Sequence, residues 1–206
     1  MCDAIHNDQE VALWLEPDTD HGHFHAGEDI VVKVCRGYNM KPNLNQSYKG
    51  LEAFAVNNGE RCFVPINEHN GKLELNLGKE QEGFFQICVQ ELVGAHNYYG
   101  KIIFGIGHYN NKELQPVGLP FEIMPTGNVH ARIGSRYEVQ VLKAGQPFAG
   151  AEARITYTNA ANPDYPHRLT SNADGKIQIF MSAPGNYLFF VKDGNTICTL
   201  TVVKDH

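Results

Sequence analysis

The chain has 206 residues, 42% of them hydrophobic and 19% charged, with a formal net charge of −6. That length allows one large or two small domains with a core of their own, and the composition is globular rather than disordered. Its 17 basic residues never cluster, which excludes nucleic acid and anionic lipid as expected partners.

Residues 1–10 read as a loose polar arm. They contain neither a basic region nor an apolar one, so the expected compartment is the cytoplasm, or the periplasm or cell exterior if a leader has been removed. No apolar run approaches the ~20 residues of a membrane-spanning helix. The run Val11 to Leu15, closed by Glu16-Pro17, is the first predicted strand, and residues 18–29 are polar and turn-rich. Ile30 to Cys35 is a strand rich in β-branched residues. Residues 39–49 form a loop. Leu51 to Val56 and Arg61 to Ile66 flank Asn57-Asn58-Gly59-Glu60, a hairpin turn. Lys72 to Leu77 alternates as a half-exposed strand does. Phe84 to Glu91 and Lys101 to Ile106 are two further strands, joined through Gly94 to Tyr99.

The pattern pauses at Pro116 to Pro120. Phe121 to Pro125 then leads into a strand from Ser135 to Leu142. The stretch Lys143 to Val191 carries turns at Gly145-Gln146-Pro147, Ala173-Asp174-Gly175-Lys176 and Ala183-Pro184-Gly185-Asn186. Short apolar runs separate them, the signature of an antiparallel sandwich. No window shows helical periodicity. The prediction is an all-β chain of two tandem antiparallel, Ig-like β-sandwich domains. A flexible arm (1–10) precedes an N-terminal sandwich (11–122) and a C-terminal sandwich (123–206) that resembles the prealbumin-like and carboxypeptidase regulatory-like sandwiches, with the joint within 118–126.

Five cysteines (Cys2, Cys35, Cys62, Cys88 and Cys198) are an odd number without a CxxC pair, which argues against a disulfide framework. The last four sit in apolar runs and are expected to be small buried core residues. No GxSxG, HExxH or P-loop pattern occurs, so the chain is predicted to be no enzyme.

Ten histidines are the compositional hint of chemistry. His21-Gly22-His23-Phe24-His25 is the sharpest motif, because imidazole ligates nickel, cobalt, copper and zinc. In extended backbone the three rings share one face, and Asp18, Asp20, Glu28 and Asp29 flank them. The ~7 Å spacing is wide for three ligands on one ion, but a turn at Gly22 could draw two together. His96 and His108, at loop ends flanking the Lys101–Ile106 strand, are secondary metal ligands if the fold gathers them at one end. Tyr38, Tyr98, Tyr99 and Tyr109 form a loop-centred aromatic group that suits a sugar or protein partner.

WLEP (Trp14 to Pro17), the lead-in Gly27 to Val32, the joint GLPFEIMP (Gly118 to Pro125) and GQPFAGAEARITY (Gly145 to Tyr157) occur in an order that resembles the DUF4198 family. That family is also described as periplasmic components associated with nickel and cobalt uptake. The resemblance implies a non-enzymatic protein that binds a divalent transition metal, nickel or cobalt, beside a membrane transporter component. The family's histidine ahead of WLEP is replaced here by Glu10-Val11-Ala12-Leu13. The alternative function is a protein-interaction or carbohydrate-binding module without metal.

Overall fold

The structure, a computed structural model, describes residues 10–19, 23–43, 47–79, 81–109 and 114–204. Among them the chain is all strand and turn, without a helix. In chain order β1 (Ala12–Pro17), β2 (Val31–Tyr38), β3 (Lys41–Pro42), β4 (Glu52–Asn57), β5 (Glu60–Phe63), β6 (Ile66–His69) and β7 (Lys72–Asn76) lead to the long pair β8 (Gly83–Val93) and β9 (His96–Ile106). Then come β10 (Phe121–Pro125), β11 (Arg136–Lys143), β12 (Gln146–Pro147), β13 (Glu152–Tyr157), β14 (His167–Thr170), β15 (Lys176–Phe180), β16 (Tyr187–Asp193) and β17 (Thr196–Val202).

The strands form three sheets. An eight-stranded sheet has the order β14-β13-β16-β17-β9-β8-β4-β5. A five-stranded sheet runs β1-β2-β7-β6 with β3 on β2, and a four-stranded sheet runs β10-β11-β12 with β15 on β11. Alternation along the long strands shows how they stack. Phe85, Ile87 and Val89 of β8, with Ile102, Phe104 and Ile106 of β9, pack against Leu13, Leu15, Val32, Val34 and Leu75 of the five-stranded sheet. The intervening Phe84, Cys88, Tyr99 and Ile103 pack with Ile123, Tyr137, Val139 and Val141 of the four-stranded sheet. The eight-stranded sheet is thus the middle of three layers, which explains why β8, β9, β16 and β17 read as near-continuous apolar runs. The sheet continues across the joint because β17 pairs parallel with β9, Thr196 opposite Asn97 through Val202 opposite Ile103.

The run Arg61 to Ile66, expected as one strand, divides at Val64-Pro65. Its first part pairs with β4 in the middle sheet and its second with β7 in the outer sheet. Proline cannot donate to a ladder, and the chain changes layers there.

Strand β1 stands edge-on to the middle sheet. The hydroxyls of Thr199 and Thr201 donate to the carbonyls of Leu13 and Leu15, each at 2.6 Å. A Cβ on Gly100 would lie 3.1 Å from the Leu13 carbonyl oxygen, so this approach needs glycine. Both sides of β1 are therefore buried: Leu13 and Leu15 face one core cluster, Ala12 and Trp14 another with Tyr165, Leu188 and Phe190.

Two ion pairs are buried between layers. Lys101 of β9 meets Glu122 of β10 at 2.5 Å, each 1% exposed. Glu122 also accepts the amides of Val117 at 2.9 Å and Gly118 at 3.2 Å. Arg36 pairs with the fully buried Glu91, and its guanidinium lies between the rings of Tyr48 and Tyr98 at 4.9 and 5.1 Å.

Candidate functional site

The histidine-rich loop joins β1 to β2. Phe24 anchors it: the ring is 3% exposed and its centroid lies 4.4 Å from that of Phe104 on β9. With Phe24 inward, His23 and His25 fall on the opposite side of the chain. Their rings converge at 4.5 Å between centroids and 72° between planes, with Nε2 2.9 Å from Nε2. The backbone around them is tied down. Thr19 Oγ1 donates to the His23 carbonyl at 2.8 Å, and the His25 amide donates to the Glu28 carboxylate at 3.2 Å. The Glu28 amide returns a bond to the His25 carbonyl at 3.3 Å.

Two chemistries suit this geometry. One neutral ring can donate to the other. Alternatively, both nitrogens can ligate one cation: at metal–nitrogen distances of ~2.0–2.1 Å, nitrogens that close subtend roughly 90° at the metal.

The other expected ligands are arranged less simply. His21 and Asp20 lie outside the described residues. Asp18 pairs with Lys33, and Asp29 faces Lys79 at 3.6 Å. His96 opens β9 and His108 lies two residues beyond its far end. At ~3.3 Å per residue, the strand separates them by more than 30 Å. The loop packs near Phe104, toward the His108 end, so His96 is not gathered with it. Among the described residues no group of three or more His, Cys, Asp or Glu side chains is placed to hold a metal ion.

The expected tyrosine surface is largely absorbed in packing. Tyr38 donates its hydroxyl to Asp164 and meets the Tyr165 ring edge-on at 5.2 Å. Tyr98 is half-buried beneath Arg36, and Tyr99 is buried. Tyr109 is exposed at its rim and packs on Gly105, where a Cβ would fall 2.3 Å from the ring.

Cys35, Cys88 and Cys198 are buried as expected, but Cys62 is exposed, because β5 is the last strand of the middle sheet. Burial pushes the Cys88 thiol up to about 12 and raises those of Cys35 and Cys198 as well. These thiols stay protonated at neutral pH and are poor nucleophiles. Sequence reading did not find a cleft of about 260 Å³ on the outer sheet, lined by Glu16, Lys33, Cys35, Tyr48 and Lys72 among others. Burial raises the Glu16 carboxyl there, against the lowering effect of the Trp14 indole N–H at 2.6 Å. Neighbours so scattered in sequence leave no motif.

Residues 12–192 match the family described as "Domain of unknown function (DUF4198)". The chain belongs to the DUF4198 family. That description assigns no catalytic reaction. No curated protein matches. Among solved structures, the D0-D1 domain of intimin is 12% identical with a TM-score of 0.29, covering 88% of this chain and 94% of that one. A two-fibronectin type-III segment of chicken tenascin is 10% identical with a TM-score of 0.29, covering 93% and 99%. Trypsin-activated alpha-2-macroglobulin from Escherichia coli is 9% identical with a TM-score of 0.33, covering 94% of this chain and 16% of that one. Likenesses this distant carry no functional argument. No helix among the described residues is long and apolar enough to cross a membrane.

Proposed function

We propose that this DUF4198 protein is a non-enzymatic binder of a divalent transition metal, with His23 and His25 as the paired ligands. The single observation that supports the reading is the 2.9 Å approach of their Nε2 atoms on a loop pinned by Phe24. A bite near 90° suits octahedral or tetragonal ions, whereas a tetrahedral ion with the same bonds would set the nitrogens roughly 3.4 Å apart. Nickel or cobalt is therefore preferred over zinc as cargo, in keeping with the resemblance of the sequence to proteins of nickel and cobalt uptake. In this role the protein is an accessory of metal uptake or handling, working beside a membrane transporter component.

The test is calorimetric titration of the metal-free chain with nickel, cobalt, copper and zinc at pH 7.5. Binding is expected to follow the order copper, nickel, cobalt, and to be lost in His23→Ala and His25→Ala. An absence of heat with all four metals, or unchanged binding in both variants, overturns the reading.

A further inference from the structure

The middle sheet ends in two edge strands, and they differ. On β14, Arg168 is held by Asp164 at 2.7 Å and faces Glu152 at 3.6 Å, and Leu169 is 36% exposed. On β5 all four residues, Glu60 to Phe63, are exposed. Phe63 is 73% exposed, the highest value among the described large hydrophobic residues, and neither lysine nor proline interrupts the strand. An exposed edge strand that carries an uncovered Phe is a template for pairing with another strand.

The backbone of β5 is set for such pairing. The turn Asn58-Gly59, with φ of 51° and 78°, closes the hairpin at Asn57 opposite Glu60. Alternation then aims the amides of Glu60 and Cys62 at β4 and those of Arg61 and Phe63 outward. The Val64 amide, bonded to the Ala53 carbonyl at 3.0 Å, continues the inward set.

Self-complementarity selects the occupant. In an antiparallel pair about a twofold axis, opposed residues must share a face, so three central registers are available. An axis at Arg61 opposes that guanidinium to itself. An axis at Phe63 sets Pro65, which lacks an amide donor, opposite Arg61. An axis at Cys62 sets Arg61 opposite Phe63 of the second copy on both sides of the axis, with all four outward amides and carbonyls bonded in turn. Arg61 already lies over an aromatic ring, its guanidinium carbon 3.5 Å from the Phe54 centroid. Phe54 is the cross-strand neighbour of Phe63, so the second copy extends an existing cation–π stack.

We propose that β5 is a homodimer edge, at which two chains join their middle sheets antiparallel about an axis through Cys62. The contact is short, so association is weak and depends on concentration.

Sedimentation equilibrium with EDTA present, from about 5 to about 500 μM, tests this without metal bridging. The wild-type chain is expected to shift from monomer to dimer over that range. Phe63→Lys opposes an ammonium to Arg61 twice and is expected to weaken association about tenfold or more. The double variant Arg61→Glu with Phe63→Lys opposes unlike charges in the same register and is expected to restore it. Leu169→Glu, on the β14 edge, leaves it unchanged. A chain that stays monomeric throughout, a dimer indifferent to Phe63→Lys, or a double variant that fails to recover overturns the proposal.

Discussion

Removing either member of the Lys101–Glu122 pair should cost more than removing both. Both side chains are 1% exposed and 2.5 Å apart, between β9 of the middle sheet and β10 of an outer one. Lys101→Met leaves a buried carboxylate that retains the Val117 and Gly118 amides, at 2.9 and 3.2 Å. The expected loss is about 3 kcal/mol, the low end for breaking a buried pair. Glu122→Leu strands the ammonium, whose remaining contacts are Gln86 Oε1 at 3.4 Å and Met124 Sδ at 2.7 Å. It also removes the acceptor of both amides, so the loss is about 5 kcal/mol, the upper end for breaking a buried pair. In the double variant no charge is left buried and the two amides account for most of a loss of about 2 kcal/mol. Urea unfolding at pH 7 with a shared m-value measures all three. The double variant should therefore be more stable than Glu122→Leu alone. Single losses below about 1 kcal/mol, or a double variant equal to the sum, would refute the reasoning.

Acidification should weaken nickel binding, because a metal ligates neutral imidazole and protons compete for the same nitrogen; titrations at stepped pH check this. Phe24→Ala empties a site beside Phe104, so thermal and urea unfolding should show a loss of about 3–4 kcal/mol and a weaker metal isotherm. Thr199→Val with Thr201→Val removes the two donors to β1, and should cost ~2–4 kcal/mol by the same unfolding assay. The Tyr38 hydroxyl, and then the Arg168 guanidinium, hold the Asp164 carboxyl down to about 2, from its ordinary 3.8. Its stabilising contribution is complete above the unfolded value and lost as pH falls through the folded one. Asp164→Asn should therefore flatten the stability profile between those two values.

What the sequence conveyed was local. Asn58-Gly59 announces a hairpin because both residues take positive φ, and β8 and β9 announce themselves because strands buried on both faces read as unbroken apolar runs. Alternation predicts His21, His23 and His25 on one face; the structure brings His23 and His25 together, and His21 lies outside the described residues. What it could not convey was non-local. The pairing of β17 with β9 joins Thr196 to Asn97 across about a hundred residues, and no motif marks it. The separation of His96 from His108 depends on β9 running without a break. Tyr38 looked available for a ligand until Asp164, 126 positions away, took its hydroxyl.

The layering explains where chemistry remains to be done. The five-stranded sheet covers β8 and β9 on one face and the four-stranded sheet packs on the other, so loops at strand ends and sheet edges are what this half leaves accessible. The β1–β2 loop is of the first kind: Phe24 fills a place beside Phe104, and the residues on either side of it are turned outward together. Strand β5 offers the second. At the opposite edge, β14, Arg168 is tied to its carboxylate partners, whereas β5 presents Phe63 uncovered. The proposed pairing of Arg61 with Phe63 of a second copy about Cys62 places that exposed ring against a guanidinium, much as Arg61 already lies over Phe54.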